Sequence, residues 1–202
     1  TERELLALQG DASTLMGQLV WDASQRRDHA TARSYYDQSV TVARRLRDHT
    51  LESHALLRTC YVALYGARDP RTGLTLALQA AATARAISPA LTGMALLHAG
   101  EAHAMLGEAK DCEQALDTAQ RHLERSDGLD AAADLVSPAQ FGRLAGSCYL
   151  SLGQHRRAQQ LLETTAAELQ DRRKSRAIVL GNLTLAYIRQ REVDAAVITL
   201  AL

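Results

Sequence analysis

Aromatic residues supply only 4% of this 202-residue chain: one Trp, one Phe and six Tyr. A core with so few rings must be built from aliphatic side chains, chiefly Ala and Leu, which are also the strongest helix formers. Proline is scarce, with three residues, so few positions interrupt a helix. Together these shortages point to an all-α protein. Excess charge of one sign is also missing: 23 basic residues face 23 acidic ones. A surface dedicated to nucleic acid usually carries a basic surplus, so direct contact of this segment with DNA or RNA is not expected. The longest basic run, Arg172-Arg173-Lys174 with Arg176, reads as a solvated turn between helices.

The three cysteines, Cys60, Cys112 and Cys148, are far apart in sequence, and each sits within an apolar helical pattern. Without a CxxC pair, they read as buried free thiols in a reducing, cytoplasmic compartment. No apolar run reaches membrane-spanning length, and the charged start Thr1-Glu2-Arg3-Glu4 is no signal peptide. The chain has no initiator Met, and it stops within an amphipathic pattern at Val197-Ile198-Thr199-Leu200. It therefore reads as a piece of a longer protein.

Catalytic signatures are absent as well. The sequence holds no GxSxG, no phosphate loop and no GxGxxG. His49 and His54 are five residues apart, as are His98 and His103. Five residues turn a helix by roughly 500°, about 140° off a common face, whereas a helical zinc pair needs i, i+4 spacing. No catalytic residue, metal or cofactor is expected, and the chain reads as a binding protein rather than an enzyme.

What is present is a repeat. The segments beginning at Gly100, Gly146 and Thr184 share one pattern: a small residue, a bulky one three later, a turn, and a small residue twelve on. In the third hairpin the positions are Gly100, His103, Gly107, Cys112, Leu116 and Ala119. In the fourth they are Gly146, Tyr149, Gly153, Ala158 and Leu162. In the fifth they are Thr184, Tyr187, Ala196 and Leu200, with Arg191 in place of the turn glycine. Weaker versions appear at Tyr61, Leu64, Gly73, Ala77 and Ala80, and at Trp21, Ala32, Tyr36 and Ser39, with about two extra residues at Gln25-Arg26.

This pattern resembles the tetratricopeptide (TPR) repeat. The resemblance implies a right-handed α-solenoid of about five TPR-like helical hairpins, spanning roughly 11–48, 50–87, 89–125, 138–171 and 175–202, the last incomplete. Residues 1–10 read as a leading helix or linker that ends at Gly10 and either comes from an upstream domain or caps the stack. The small positions Ala32, Gly73, Cys112, Ala158 and Ala196 fall 41, 39, 46 and 38 residues apart. These intervals exceed the repeat's usual length of about 34, so longer helices and turns are expected. An insertion should fall between Ser126 and Ser137. Ser137-Pro138-Ala139-Gln140 reads as a capping box, and Asp69-Pro70 and Ser88-Pro89 as further helix starts.

In such stacks the first helix of each hairpin lines the concave face. By resemblance, groove-facing positions include Arg58, Val62 and Tyr65; Met94, Leu97, Glu101 and Met105; Gln140, Arg143, Ser147 and Ser151; and Leu185, Ile188 and Arg189, with Asn182 beside them. Arg58, Tyr65, Glu101, Gln140, Arg143, Ser147, Asn182 and Arg189 are the candidate ligand-binding residues. The guanidiniums suit carboxylate or phosphate, and Asn182 suits a peptide backbone. Met94 and Met105 fit either an adaptable groove floor or the core. The family's carboxylate-clamp residue set is not reproduced.

The stretches Ser137–Gln154 and Arg176–Leu183 resemble the C-terminal region of bacterial helix-turn-helix (XRE-type) regulators, in which TPR-like repeats follow a DNA-binding domain. The resemblance implies a regulatory module that takes a peptide, small molecule or protein partner in its groove. A passive protein-interaction scaffold is the alternative. A ligand would act through unequal affinities for two superhelix curvatures. The apolar end at Val197, Ile198 and Leu200 would be covered by a sixth hairpin or by a second copy in a homodimer.

Overall fold

The computed structural model describes residues 1–201 except 26, 128, 131 and 133–136, and describes no side chain at 138. The described residues form ten α-helices: α1 (Glu2–Ala23), α2 (His29–Leu46), α3 (His49–Tyr61), α4 (Pro70–Ala84), α5 (Pro89–Leu106), α6 (Ala109–Leu123), α7 (Pro138–Ser151), α8 (His155–Glu168), α9 (Arg173–Gln190) and α10 (Val193–Leu200). A π-helical turn, Val62–Ala67, extends α3. No strand occurs among the described residues. Consecutive helices pair as antiparallel hairpins and the pairs stack, α3 and α4 on α5, and α5 on α7. The architecture is an α-solenoid with TPR-like hairpins.

Local chemistry sets the helix boundaries. All three prolines open helices, at the first position of α4, α5 and α7, where a missing N–H costs nothing. Asp69 and Ser88 cap α4 and α5 by accepting from the backbone N–H of Thr72 and Leu91. Ser137 precedes α7 without a side-chain cap, so the expected capping box does not form. The Gln140 N–H instead bonds the Ser137 carbonyl at 2.9 Å, and the Gln140 side chain turns to a cavity described below. The turns inside the hairpins share one device, a residue with positive φ: Gln25, Arg68, Gly107, Gly153 and Arg191. Arg191 thus adopts the conformation that glycine takes at the equivalent turns of the third and fourth hairpins.

The repeat's small positions prove geometrically equivalent. Ala32, Gly73, Cys112, Ala158 and Ala196 are each the fourth residue of the second helix of a hairpin, and all five are buried. Small side chains there let the paired helices close up. A Cβ on Gly146 would fall 2.6 Å from Leu162 Cδ2, and one on Gly73 would fall 2.3 Å from Leu64 Cδ2. The main core is correspondingly aliphatic, running through Leu56, Leu97, Leu116, Leu144, Leu162 and Val179. Met94, 3% exposed, belongs to this core and not to a groove floor.

Three features depart from expectation. Residues 1–9 do not end in a helix stop at Gly10, because α1 runs through Gly10 to Ala23. Gly10 is there for packing: a Cβ would meet Leu51 Cδ2 at 2.6 Å and Val42 Cγ1 at 3.3 Å. The π-helical turn has no sequence signature in the repeat pattern. Between α6 and α7, Asp130 bonds to the start of α5: its carboxylate accepts from Ser88 Oγ (2.6 Å), Ala90 N (2.8 Å) and Ala132 N (2.9 Å). Much of the expected insertion, and Arg26 of the first hairpin's extra residues, lie outside the described residues. The end of the stack is apolar and open, with Val197, Ile198 and Leu200 each more than 60% exposed. At the other end, Leu5, Leu8, Leu15 and Leu19 form an exposed stripe along α1.

Candidate functional site

The first helices of all five hairpins contribute to one cavity of about 660 Å³. Gln18, Trp21 and Asp22 come from α1, Arg58 and Tyr61 from α3, and Tyr65 from the π-helical turn. His98 comes from α5, Gln140 and Arg143 from α7, and Ser175 and Ile178 from α9. Side chains of the first and fifth hairpins therefore face the same half-open space. A hollow of similar volume, lined by Gln9 and the α2 residues Arg33, Asp37 and Arg45, lies apart from these convergent groups.

Spacing along the helices explains which side chains arrive. Arg58, Tyr61 and Tyr65 are separated by three and four residues, so they share one helical face. The Arg58 guanidinium carbon lies 5.6 Å from the Tyr61 ring centroid, and its Nε donates to His54 Nε2 at 3.3 Å. Burial, with Arg58 alongside, holds the His54 pKa down at about 4, so His54 is a neutral acceptor at neutral pH. The Tyr61 ring in turn packs on His98, with centroids 4.5 Å apart.

Beneath this surface sits a buried polar cluster. His98 Nδ1 bonds Glu101 Oε2 at 2.7 Å, and Tyr65 Oη donates to the same oxygen. Tyr65 Oη also lies 3.0 Å from His98 Nδ1. Burial, followed by the Glu101 charge, pushes the Tyr65 phenol well above its ordinary pKa, so it remains a donor. Glu101 is 8% exposed and supports the cavity without lining it, which corrects its placement in the groove. His98 Nε2 is buried with no hydrogen-bond partner among the described residues.

Of the eight candidate residues, Arg58, Tyr65, Gln140 and Arg143 line this cavity together. Ser147, Asn182 and Arg189 gather in a second hollow of about 460 Å³ between α7 and α9, with Ser151, His155 and Leu185. Val62 and Leu97, expected in the groove, are buried in the core at 4% and 0% exposure. Sequence reasoning missed Gln18, Trp21, Asp22, Tyr61 and His98. The available signal was the i, i+3 spacing of Gln18 and Trp21, which matches that of Arg58 and Tyr61.

The ligand atoms of His103, Glu108 and Asp111 lie within 4.8 Å of one another at the α5–α6 turn. The two acids are exposed, and His103 Nδ1 bonds Glu108 Oε2 at 2.6 Å. The His103–Glu108 bond spans the turn at Gly107. Among the described residues, no helix is long and apolar enough to cross a membrane.

No family model and no curated protein matches this chain. Among solved structures, the chain is similar to the nearly identical TPR-like repeats of a Podosopora anserina protein described as a kinesin light chain. The two align with a TM-score of 0.65 and 15% identity over 100% of this chain and 93% of the other. The likeness is one of fold, and it agrees with the hairpin stack described above: the chain has a TPR-like α-solenoid architecture.

Proposed function

We propose that this chain is a non-catalytic binding module that receives its ligand on the concave face, and that it serves as the regulatory part of a helix-turn-helix transcriptional regulator. The observation that supports binding is the cavity itself, in which side chains from the first to the fifth hairpin converge. Its volume falls within the range of roughly 300–1,000 Å³ common for ligand pockets. The regulatory role rests on the resemblance of Ser137–Gln154 and Arg176–Leu183 to such regulators. Mechanically, a ligand that touches both α1 and α9 favours the curvature that keeps them close, and so shifts the solenoid between two shapes. The apolar faces of α1 and α10 are read as surfaces for further hairpins.

The test of binding is a thermal-shift screen of peptides and metabolites on the wild-type chain, followed by titration of each hit into Tyr61→Ala, Gln140→Ala and the outer-face variant Arg33→Ala. Loss of binding in the first two alone supports the concave site. Hits that ignore Tyr61→Ala and Gln140→Ala remove it. The regulatory reading is tested by the gene upstream of Thr1: a basic helix-turn-helix segment supports it, and none there leaves only a partner-docking scaffold.

A further inference from the structure

The cavity holds two positive charges that nothing in the described structure neutralises. Arg58 commits its Nε to His54, a neutral partner, and neither of its Nη groups makes a hydrogen bond or ion pair among the described residues. Arg143, half-buried on α7, makes no hydrogen bond or ion pair among the described residues. Both guanidiniums act on the same phenol, that of Tyr61. Among the described residues, Asp22 is the one carboxylate of the lining, and it pairs with neither. Glu101 lies below the surface and is occupied by Tyr65 and His98.

Two like charges facing a partly enclosed space repel each other and lose hydration. An anion placed between them relieves both costs, and guanidinium forks suit the flat, two-point geometry of an oxyanion. The aromatic groups bordering the same space, Tyr61 and Tyr65, offer ring faces and edges to a planar body. Enclosure decides the ligand's size. A cavity bounded by α1 on one side and α9 on the other, of about 660 Å³, matches a compact molecule rather than an extended chain.

We propose that the cavity binds a small organic acid, with its carboxylate or phosphate held between Arg58 and Arg143 and its planar body against Tyr61 and Tyr65. This inference rests on the concave-face reading above. Because the acid links α7 to α3, it fastens the two halves of the solenoid together.

The experiment is calorimetric titration and thermal shift with benzoate, phenyl phosphate and the neutral isostere benzamide at constant ionic strength. It uses the wild-type chain, Arg58→Gln, Arg143→Gln, Arg143→Lys and, as a control in the second hollow, Arg189→Gln. At least one acid is expected to bind saturably and raise Tm, while benzamide does not. The benzoate and phenyl phosphate arms separate a carboxylate site from a phosphate site. Arg58→Gln and Arg143→Gln should weaken affinity roughly ten- to hundred-fold, the loss expected for a charged hydrogen-bonded contact. Arg143→Lys should be intermediate because it keeps the charge and loses the fork, and Arg189→Gln should bind as wild type. Circular dichroism of each ligand-free variant verifies the fold.

The inference is overturned if neither acid binds at millimolar concentration, if benzamide binds as well as benzoate, or if both glutamine variants keep wild-type affinity. Those results leave the concave-face reading standing. That reading falls separately, through hits that survive both Tyr61→Ala and Gln140→Ala.

Discussion

Arg58 Nε donates to His54 Nε2 across one turn of α3, at 3.3 Å. The bond needs the unprotonated imidazole nitrogen, and burial together with the Arg58 charge keeps it so by lowering the His54 pKa to about 4. Free histidine titrates near 6.5. As pH falls below that value, the unfolded chain takes up a proton that the folded chain refuses. Stability from this group is complete above about pH 6.5 and is lost as pH falls toward 4, with a slope of about 1.4 kcal/mol per pH unit. The accumulated loss is on the order of 2–3 kcal/mol. In His54→Gln the amide oxygen can still accept from Arg58 and does not titrate. Urea unfolding at pH 7 and pH 4.5 should show a smaller acid-induced loss in the variant than in the wild type. His122, also lowered by burial, contributes equally to both proteins. Equal losses would show that His54 does not carry the effect.

Two helical glycines should respond to alanine with opposite signs. Gly73 on α4 faces Leu64, which is 1% exposed, and a Cβ there would lie 2.3 Å from Leu64 Cδ2 and 2.7 Å from its Cγ. Alanine gains about 1 kcal/mol in helix propensity, but overpacking costs about 1–3 kcal/mol, and a fully buried leucine has nowhere to swing. Gly73→Ala should therefore destabilise by about 1–2 kcal/mol, lowering Tm by about 2–4 °C per kcal/mol for a chain of this size. A Cβ on Gly181, exposed on α9, meets nothing within 4 Å. Gly181→Ala should raise stability by about 0.5–1 kcal/mol. Thermal melts of the two variants check the pair, and a shared sign would show that packing at the repeat's small position does not set the balance.

The hairpin pattern was legible in the sequence because its markers are local. Pro70, Pro89 and Pro138 open helices, and Gly107 and Gly153 turn them, wherever the rest of the chain lies. The site was legible only in part because its geometry depends on distant contacts. Glu101 looks like an open groove position on α5, yet Tyr65 from the preceding hairpin covers it. The family resemblance places Val62 in the groove, but a π-helical turn begins there, and Tyr61 faces the cavity instead. Gly10 could end a helix or admit a neighbour, and its sequence context fits both; Leu51, forty-one residues away, decides it. Arg58 and Arg143 were singled out together with Arg189 for their chemistry. Only the stacking of α7 on α5 reveals that the first two share a cavity and the third does not.

Asp130 links the inter-hairpin segment to the start of α5. Its Oδ1 accepts from Ser88 Oγ and Ala132 N, and its Oδ2 accepts from Ala90 N. Ser88 Oγ accepts in turn from Leu91 N at 3.0 Å, so one carboxylate organises the first turn of α5. Burial opposes its charge, but the bonds from Ser88, Ala90 and Ala132 prevail and hold its pKa below the usual carboxylate range. A negative charge at a helix N-terminus adds a favourable dipole interaction. Asp130→Asn loses the charge and turns one of the two accepting oxygens into a donor, and should cost about 1–2 kcal/mol. Asp130→Ala, which leaves Ala90 N and Ser88 Oγ without this acceptor, should cost about 2–3 kcal/mol. Asp130 lies eight residues before α7 in sequence, and the same change is expected to loosen the placement of Gln140 and Arg143 in the cavity wall. Hydrogen exchange followed by mass spectrometry tests both effects: protection should fall over Ala90–Leu91 and over the first turn of α7, while α1 and α2 keep theirs. If Asp130→Ala leaves exchange in α5 unchanged, the carboxylate is a surface ornament rather than the anchor of this segment. If only α5 changes, the anchor holds the cap without positioning the cavity wall.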